Sequence, residues 1–256
     1  MTDSLLNISD VSKRFGGLQA LSDVRLTISR GQIYGLIGPN GAGKTTMFNV
    51  ITGLYPADAG RFELHGKPYP NTAPHDVARA GIARTFQNIR LFGDMSAIEN
   101  VMVGRHIRTR QGVLGAVLRH QAARKEEADI SQYAAELLEF VGIRHLAGRT
   151  ARHLSYGDQR RVEIARALAT EPVLLALDEP AAGMNATEKS SLRELLLKIR
   201  EKGITILLIE HDVKLMMGLC DRLTVLDYGK VIAEGTPAEV QKDPAVIAAY
   251  LGGEAA

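Results

Sequence analysis

Gly38-Pro39-Asn40-Gly41-Ala42-Gly43-Lys44-Thr45-Thr46 satisfies every fixed position of the pattern G-x-x-x-x-G-K-(S/T). Ahead of it, the apolar run Ile33 to Ile37 reads as a buried strand; behind it, Lys44 to Gly53 reads as a helix closed by a glycine. A strand, a glycine-rich loop and a helix in that order are the setting in which this pattern holds a nucleotide triphosphate. Gly38, Gly41 and Gly43 lack a Cβ, so the loop can curl and turn successive backbone N–H groups toward phosphates, above the positive end of the helix. Pro39, Asn40, Ala42 and Thr46 complete the segment that would line the nucleotide. Lys44 brings a point charge for the β and γ phosphates, and the Thr45 hydroxyl is a hard oxygen ligand of the kind Mg²⁺ prefers.

Moving outward, the hydrophobic period changes along the chain. Leu6 to Val11 and Val24 to Ile28 alternate apolar and polar residues, which predicts a small antiparallel sheet with one buried face before the loop. Val173 to Leu177 and Ile204 to Ile209 are near-continuous apolar runs, as strands of a parallel sheet covered on both faces require. The core is therefore expected to be α/β, with a parallel, doubly wound sheet. Between these halves, roughly Gly93 to Gly148, there is no strand-like run, and Tyr133 to Val141 carries helical spacing with Glu136 and Glu139 outward. A mostly helical subdomain, approximately 93–160, is expected inside one domain spanning 1–256. Leu223 to Glu234 reads as two strands around a tight turn, with a helix started by Thr236-Pro237.

Bulk properties exclude several classes. With 256 residues, 45% hydrophobic and 23% charged, the chain can bury a large core. Its longest apolar stretches fall far short of the roughly 18 to 20 residues that span a bilayer. No basic, apolar and small-residue signal segment opens it, so a cytosolic protein, or one held at a membrane by partners, is expected. The single cysteine, Cys220, excludes an intramolecular disulfide and reads as a small buried apolar side chain. A net charge of +2 points to no nucleic acid partner.

Leu174 to Pro180 is an apolar strand ending in two adjacent carboxylates. Successive strand residues face opposite ways, so the two acids can serve different purposes at the carboxyl end of the strand. Asp178 is placed to hold Mg²⁺ or its water, and Glu179 to act as general base on a water attacking the γ phosphate.

Three further segments narrow the class. Leu154-Ser155-Tyr156-Gly157-Asp158-Gln159 precedes an evident helix from Val162 and resembles the LSGGQ signature of the ATP-binding cassette (ABC) ATPases. In that family Ser155 and the N–H groups near Gly157 would bind the γ phosphate held by an opposing subunit. By the same resemblance His211, in Ile209-Glu210-His211-Asp212, matches the switch histidine that contacts the γ phosphate. Gln87, in Arg84-Thr85-Phe86-Gln87-Asn88, matches the glutamine at the entry to the helical subdomain and joins Thr45 and Asp178 around the metal. Phe15 stands where the family stacks an aromatic on adenine. Two departures accompany the match: Tyr156 and Asp158 replace the usual Gly and Gln, and Asn185 replaces an aspartate of the following loop.

The stretch Arg84 to Phe92, the long insert, Ala181-Ala182-Gly183-Met184-Asn185 and the terminal Ala248-Ala249-Tyr250-Leu251-Gly252 resemble one branch, the larger ATPase subunit of bacterial branched-chain amino acid importers. That resemblance implies ATP hydrolysis with Mg²⁺, a related partner ATPase, two membrane permeases, an extracytoplasmic substrate-binding protein, and a peripheral place on the cytoplasmic face of the inner membrane. Urea or short-amide importers, and soluble ABC clamps without a transporter, are the alternatives. From Val101 to Lys125 there are Arg105, Arg108, Arg110, Arg119, Arg124 and Lys125 and no acid. This basic stretch reads either as a permease- or lipid-facing surface or as a solvated helix face.

Overall fold

A computed structural model of the protein describes residues 4–108 and 121–252. Contacts divide the chain into two compact units, one from Met1–Arg84 with Val173–Ala256 and the other from Thr85–Pro172. In chain order the first unit begins with β1 (Ser4–Phe15), β2 (Leu18–Ser29), β3 (Ile33–Ile37), α1 (Lys44–Ile51), β4 (Ala59–Leu64), β5 (Lys67–Pro68), α2 (Pro74–Ala80) and β6 (Ile82–Arg84). The second unit holds α3 (Ala97–Arg105), α4 (Gln121–Phe140) and α5 (Tyr156–Leu168). The first unit resumes with β7 (Leu174–Asp178), α6 (Ala186–Glu201), β8 (Thr205–Ile209), α7 (Val213–Leu219), β9 (Arg222–Asp227), β10 (Lys230–Gly235), α8 (Pro237–Val240) and α9 (Pro244–Gly252).

The β1–β2 hairpin buries the alternating residues Leu6, Ile8, Val11, Val24, Leu26 and Ile28 and pairs Ile8 with Leu26 and Val11 with Val24. Its sheet has the order β2-β1-β4-β5, so it also takes strands that follow the Gly38–Thr46 loop. These were not readable in advance, because β4 presents only Phe62 and Leu64 to the core. The larger sheet has the order β10-β9-β3-β8-β7-β6 and is parallel except for the β9–β10 hairpin. All residues of β3, β7 and β8 are buried, which is why their sequences run apolar without alternation. Between the sheets α1 contributes Met47, Phe48, Val50 and Ile51 to one cluster with Leu6, Leu26, Leu36, Leu174 and Leu207. Each such side chain stabilises the fold by roughly 1.5–3 kcal/mol.

Cys220 is buried apart from that cluster, with Met216 and Leu223 around the Gly35 backbone, where a Cβ on Gly35 would come within 2.3 Å of Leu223. Burial pushes the thiol up to about 12, which leaves it an inert packing group.

In the second unit, α3 is capped by Ser96 and Glu99, each bonding the other's backbone N–H. Buried Asn100 bridges the N–H and carbonyl of Phe92. A Cβ on Gly104 would stand 2.2 Å from the Arg166 carbonyl, so α3 and α5 cross backbone to backbone. Arg105 pairs with Glu171 at 2.8 Å, and Arg108 donates to the Thr170 carbonyl at 2.7 Å. Both therefore tie the basic stretch to the turn that follows α5, while Lys125 is exposed. Arg110 and Arg119, and the side chain of Arg124, lie outside the described residues. Among the described residues no helix is long and apolar enough to cross a membrane.

Candidate functional site

The register of the parallel sheet sets the site. Leu36 of β3 and Asp178 of β7 both pair with Ile209 of β8, so the carboxyl ends of three neighbouring strands finish at one level. The segments that follow are Gly38–Thr46, Glu179 and Glu210–His211. They converge by topology, since carboxyl ends of parallel strands are where an α/β sheet opens for a ligand.

Gly38 has φ 149°, and a Cβ there would stand 2.1 Å from the Leu226 carbonyl oxygen. Gly43 has φ 100°, and its Cβ would stand 2.8 Å from the Ala20 carbonyl oxygen. The loop is thus pressed against the β9–β10 turn, whose Gly229 N–H donates to the Ala42 carbonyl at 2.9 Å. Only glycine satisfies both the left-handed backbone and the contact. Asn40, Gly41 and Thr45 are exposed, whereas Ala42 and Lys44 are buried. The Lys44 Nζ donates to the carbonyls of Gly38 at 2.7 Å and Pro39 at 2.9 Å, folding the ammonium across the loop. Burial lowers its pKa, opposed by the negative charge of Glu179.

Asp178 is 4% and Glu179 9% exposed. Glu179 adopts φ 47°, a left-handed conformation that costs a side-chain-bearing residue about 1–3 kcal/mol. Its N–H donates to the Ile209 carbonyl at 2.9 Å, which fixes that turn to β8. Its Oε1 lies 2.5 Å from His211 Nε2. Glu210, buried beside them, accepts the Ala181 N–H at 2.6 Å. Desolvation raises its pKa, against the stabilising Ala181 N–H and with the Glu179 charge adding to the rise.

Phe15, at the end of β1, is 43% exposed and presents its ring edge-on to Tyr55, with centroids 5.4 Å apart. Lys13 Nζ stands 5.4 Å from the Phe15 centroid and pairs with Asp58 at 2.9 Å. Tyr55 was not singled out from the sequence; nothing in its local pattern links it to Phe15, 40 positions earlier. Tyr250 of α9 stands in the terminal run quoted above; burial raises its pKa, opposed by the Gly38 backbone N–H.

Within the second unit, Ser155 caps α5. Its Oγ accepts the Asp158 N–H at 3.2 Å and donates to Asp158 Oδ2 at 2.7 Å. Tyr156 turns its hydroxyl to Arg160, and Gly157 lies in the first turn of the helix. Gln87 is exposed, with its backbone carbonyl accepting from Arg160 at 2.8 Å. The two signature departures therefore serve contacts internal to this unit. Asn185 caps α6 through a reciprocal pair with Glu188, at 3.0 and 2.9 Å, which occupies its side-chain oxygen. The spacing Asn185–Glu188 carried that signal in the sequence.

A glycine-rich loop, an acid pair and a histidine at the ends of adjacent parallel strands, in a chain that also carries a helical unit with a Ser155-capped helix, are the arrangement of an ATP-binding cassette. The sequence matches the ABC transporter family over residues 21–182, and the chain belongs to that family of nucleotide-binding, ATP-hydrolysing subunits. Residues 230–256 match the branched-chain amino acid ATP-binding cassette transporter family. The chain is 44% identical to the high-affinity branched-chain amino acid transport ATP-binding protein BraF of Pseudomonas aeruginosa, across 98% of this chain and 99% of that protein. It is also 44% identical, with the same coverage, to the corresponding protein LivG of Escherichia coli. The solved ADP conformation of MJ1267, an ATP-binding cassette of an ABC transporter, superposes with a TM-score of 0.84 at 35% identity, covering 97% of this chain and 99% of that one.

Proposed function

We propose that this chain is one half of an ATP-driven clamp that powers import of branched-chain amino acids through two membrane permeases, fed by an extracytoplasmic binding protein. A related ATPase would supply the other half, and the permeases would hold the pair at the cytoplasmic face of the membrane. The observation that carries the chemistry is the Glu179–His211 contact of 2.5 Å at the level where β3, β7 and β8 end. A carboxylate and an imidazole in contact, in the same unit as the Gly38–Thr46 loop, support this reading.

In this reading the N–H groups of Gly38 to Thr46 and the Lys44 ammonium grip the phosphates, and Phe15 receives the adenine. Ser155 and Gly157 complete a partner's site from the start of α5. Thr45 and Asp178 would hold Mg²⁺, which when bound would neutralise charge on the phosphate oxygens. Their donors fit: a threonine hydroxyl and a carboxylate are the hard oxygens that Mg²⁺ prefers, and both residues stand in the same unit. Glu179 takes a proton from the attacking water. His211 holds the Glu179 carboxylate in place and faces the γ phosphate. ATP binding closes the two cassettes, hydrolysis reopens them, and the permeases convert the motion into alternating access.

The experiment is purification of the chain with its co-expressed neighbours and assay of ATP hydrolysis in vesicles. Co-purifying permeases, with hydrolysis stimulated by leucine, isoleucine or valine on the binding protein, is the expected result. Stimulation by urea or a short amide instead would overturn the substrate, and co-purification of nucleic acid or ribosomes would overturn the transport reading.

A further inference from the structure

The first turns of α5 carry a buried ion pair that the nucleotide chemistry does not use. Arg160 is fully buried and Glu163 is 1% exposed, and they stand three residues apart on one side of the helix. Arg160 Nη1 donates to Glu163 Oε2 at 2.6 Å and to the Phe86 carbonyl at 2.7 Å. Nη2 donates to the Gln87 carbonyl at 2.8 Å and to the Tyr156 hydroxyl at 3.2 Å. The other Glu163 oxygen, Oε1, accepts the N–H groups of Phe86 at 3.3 Å and Arg90 at 3.4 Å. Arg90 in turn lays its guanidinium over the Phe86 ring at 4.5 Å.

A buried ion pair is a poor device for stability, because desolvation of both charges offsets their attraction. What distinguishes this one is where its remaining hydrogen-bonding capacity goes. Residues 85–90 lie outside helix and strand, so their backbone groups have no ladder to join. The guanidinium fork meets two successive carbonyls at once, a match that a lysine ammonium cannot reproduce from a single nitrogen. Arg160 and Glu163 together bind the Gln87 segment through two carbonyls and two N–H groups. Tyr156, the aromatic departure in the signature, closes the cluster over Arg160, at 5.8 Å from its ring and through its hydroxyl. A glycine at that place could make neither contact. Ser155 begins this same helix.

We infer that Arg160 and Glu163 are positioning residues that lock the Gln87 segment to the signature helix, so that Gln87 and Ser155 move as one piece. The inference rests on the ATPase clamp proposed above, in which these two residues serve different nucleotides. Neither charge touches nucleotide; both act by fixing the backbone that aims Gln87. A displacement of the loop is thereby delivered to the signature serine, and the reverse.

The test uses the chain assembled with its partner subunits. Two variants are compared with the wild type: Arg160→Lys, which keeps the charge and loses the fork, and the double variant Arg160→Met/Glu163→Met, which removes the ion pair without leaving a lone buried charge. Hydrogen exchange over residues 86–91, kcat and KM for ATP, and the thermal midpoint are measured. We expect exchange at 86–91 to rise at least tenfold in both variants, kcat to fall ten- to hundredfold, and KM to stay within twofold, with the midpoint held in at least one of them. Unchanged exchange and kcat in a folded variant would overturn the assignment. So would a rise in exchange spread evenly over residues 85–172, which marks a merely structural role, and so would loss of folding in both variants. A wild-type assembly without ATP hydrolysis would sink the clamp reading while leaving the exchange result intact.

Discussion

Replacing Glu179 by Gln isolates one chemical property. The amide has nearly the same shape, and the Glu179 backbone is held by the 2.9 Å bond to Ile209 whichever side chain it carries. The 2.5 Å contact with His211 can persist with the amide oxygen as acceptor. What disappears is the ability to take a proton. General-base catalysis is worth about 10²–10⁴ in rate, so the barrier should rise by about 3–5 kcal/mol. ATP affinity should hold or tighten, because a negative charge near the phosphates is gone while Lys44 keeps its loop contacts. The assay pairs phosphate release by the assembled transporter with calorimetric titration of ATP, alongside a thermal melt. A hydrolysis loss of at least a hundredfold, with affinity no weaker than wild type and a midpoint within a few degrees, is expected. Turnover within threefold of wild type would refute the base assignment, and a tenfold loss of affinity would refute the claim that Glu179 acts on chemistry alone.

Gly38→Ala forces a Cβ to 2.1 Å from a backbone oxygen at a positive φ. Strain and overpacking together should destabilise by about 2–5 kcal/mol, and a thermal midpoint lowered by less than 2 °C would contradict the contact. Lys44→Ala should weaken ATP at least tenfold by calorimetry. Because burial lowers the Lys44 pKa below the ordinary 10.5, wild-type affinity should begin to fall with rising pH before that value, and Lys44→Arg should flatten the fall. Glu210 has a folded pKa raised above 4.5, so the folded state holds its proton more tightly than the unfolded chain does. Its contribution to stability is full below 4.5 and is lost as pH rises through the folded value. Glu210→Gln should therefore reduce the loss of stability over that window in denaturant titrations, and an identical pH profile would refute the shift.

The parts of this fold that were legible share a physical cause: their sequence alone states their environment. β3, β7 and β8 are buried on both faces, so an unbroken apolar run announces them, and Gly38 and Gly43 are required by backbone geometry that no other residue meets. β4, β5 and β6 gave no such announcement. β5 and β6 have only two and three residues, and β4, with six, buries only Phe62 and Leu64 and pairs with β1. Lys44 is singled out by its motif, Asp178 and Glu179 by their strand end and His211 by the family resemblance, but the contact that joins Glu179 to His211 depends on the register of β7 against β8, which spacing cannot give. Arg160 and Glu163 show the limit most sharply. Two opposite charges three apart on a helix ordinarily read as a solvated surface pair. They are buried here because an irregular segment from more than 70 positions earlier needs their donors and acceptors. A polar pair in a helix is thus informative about function only once the backbone groups it binds are known, and those belong to the tertiary structure.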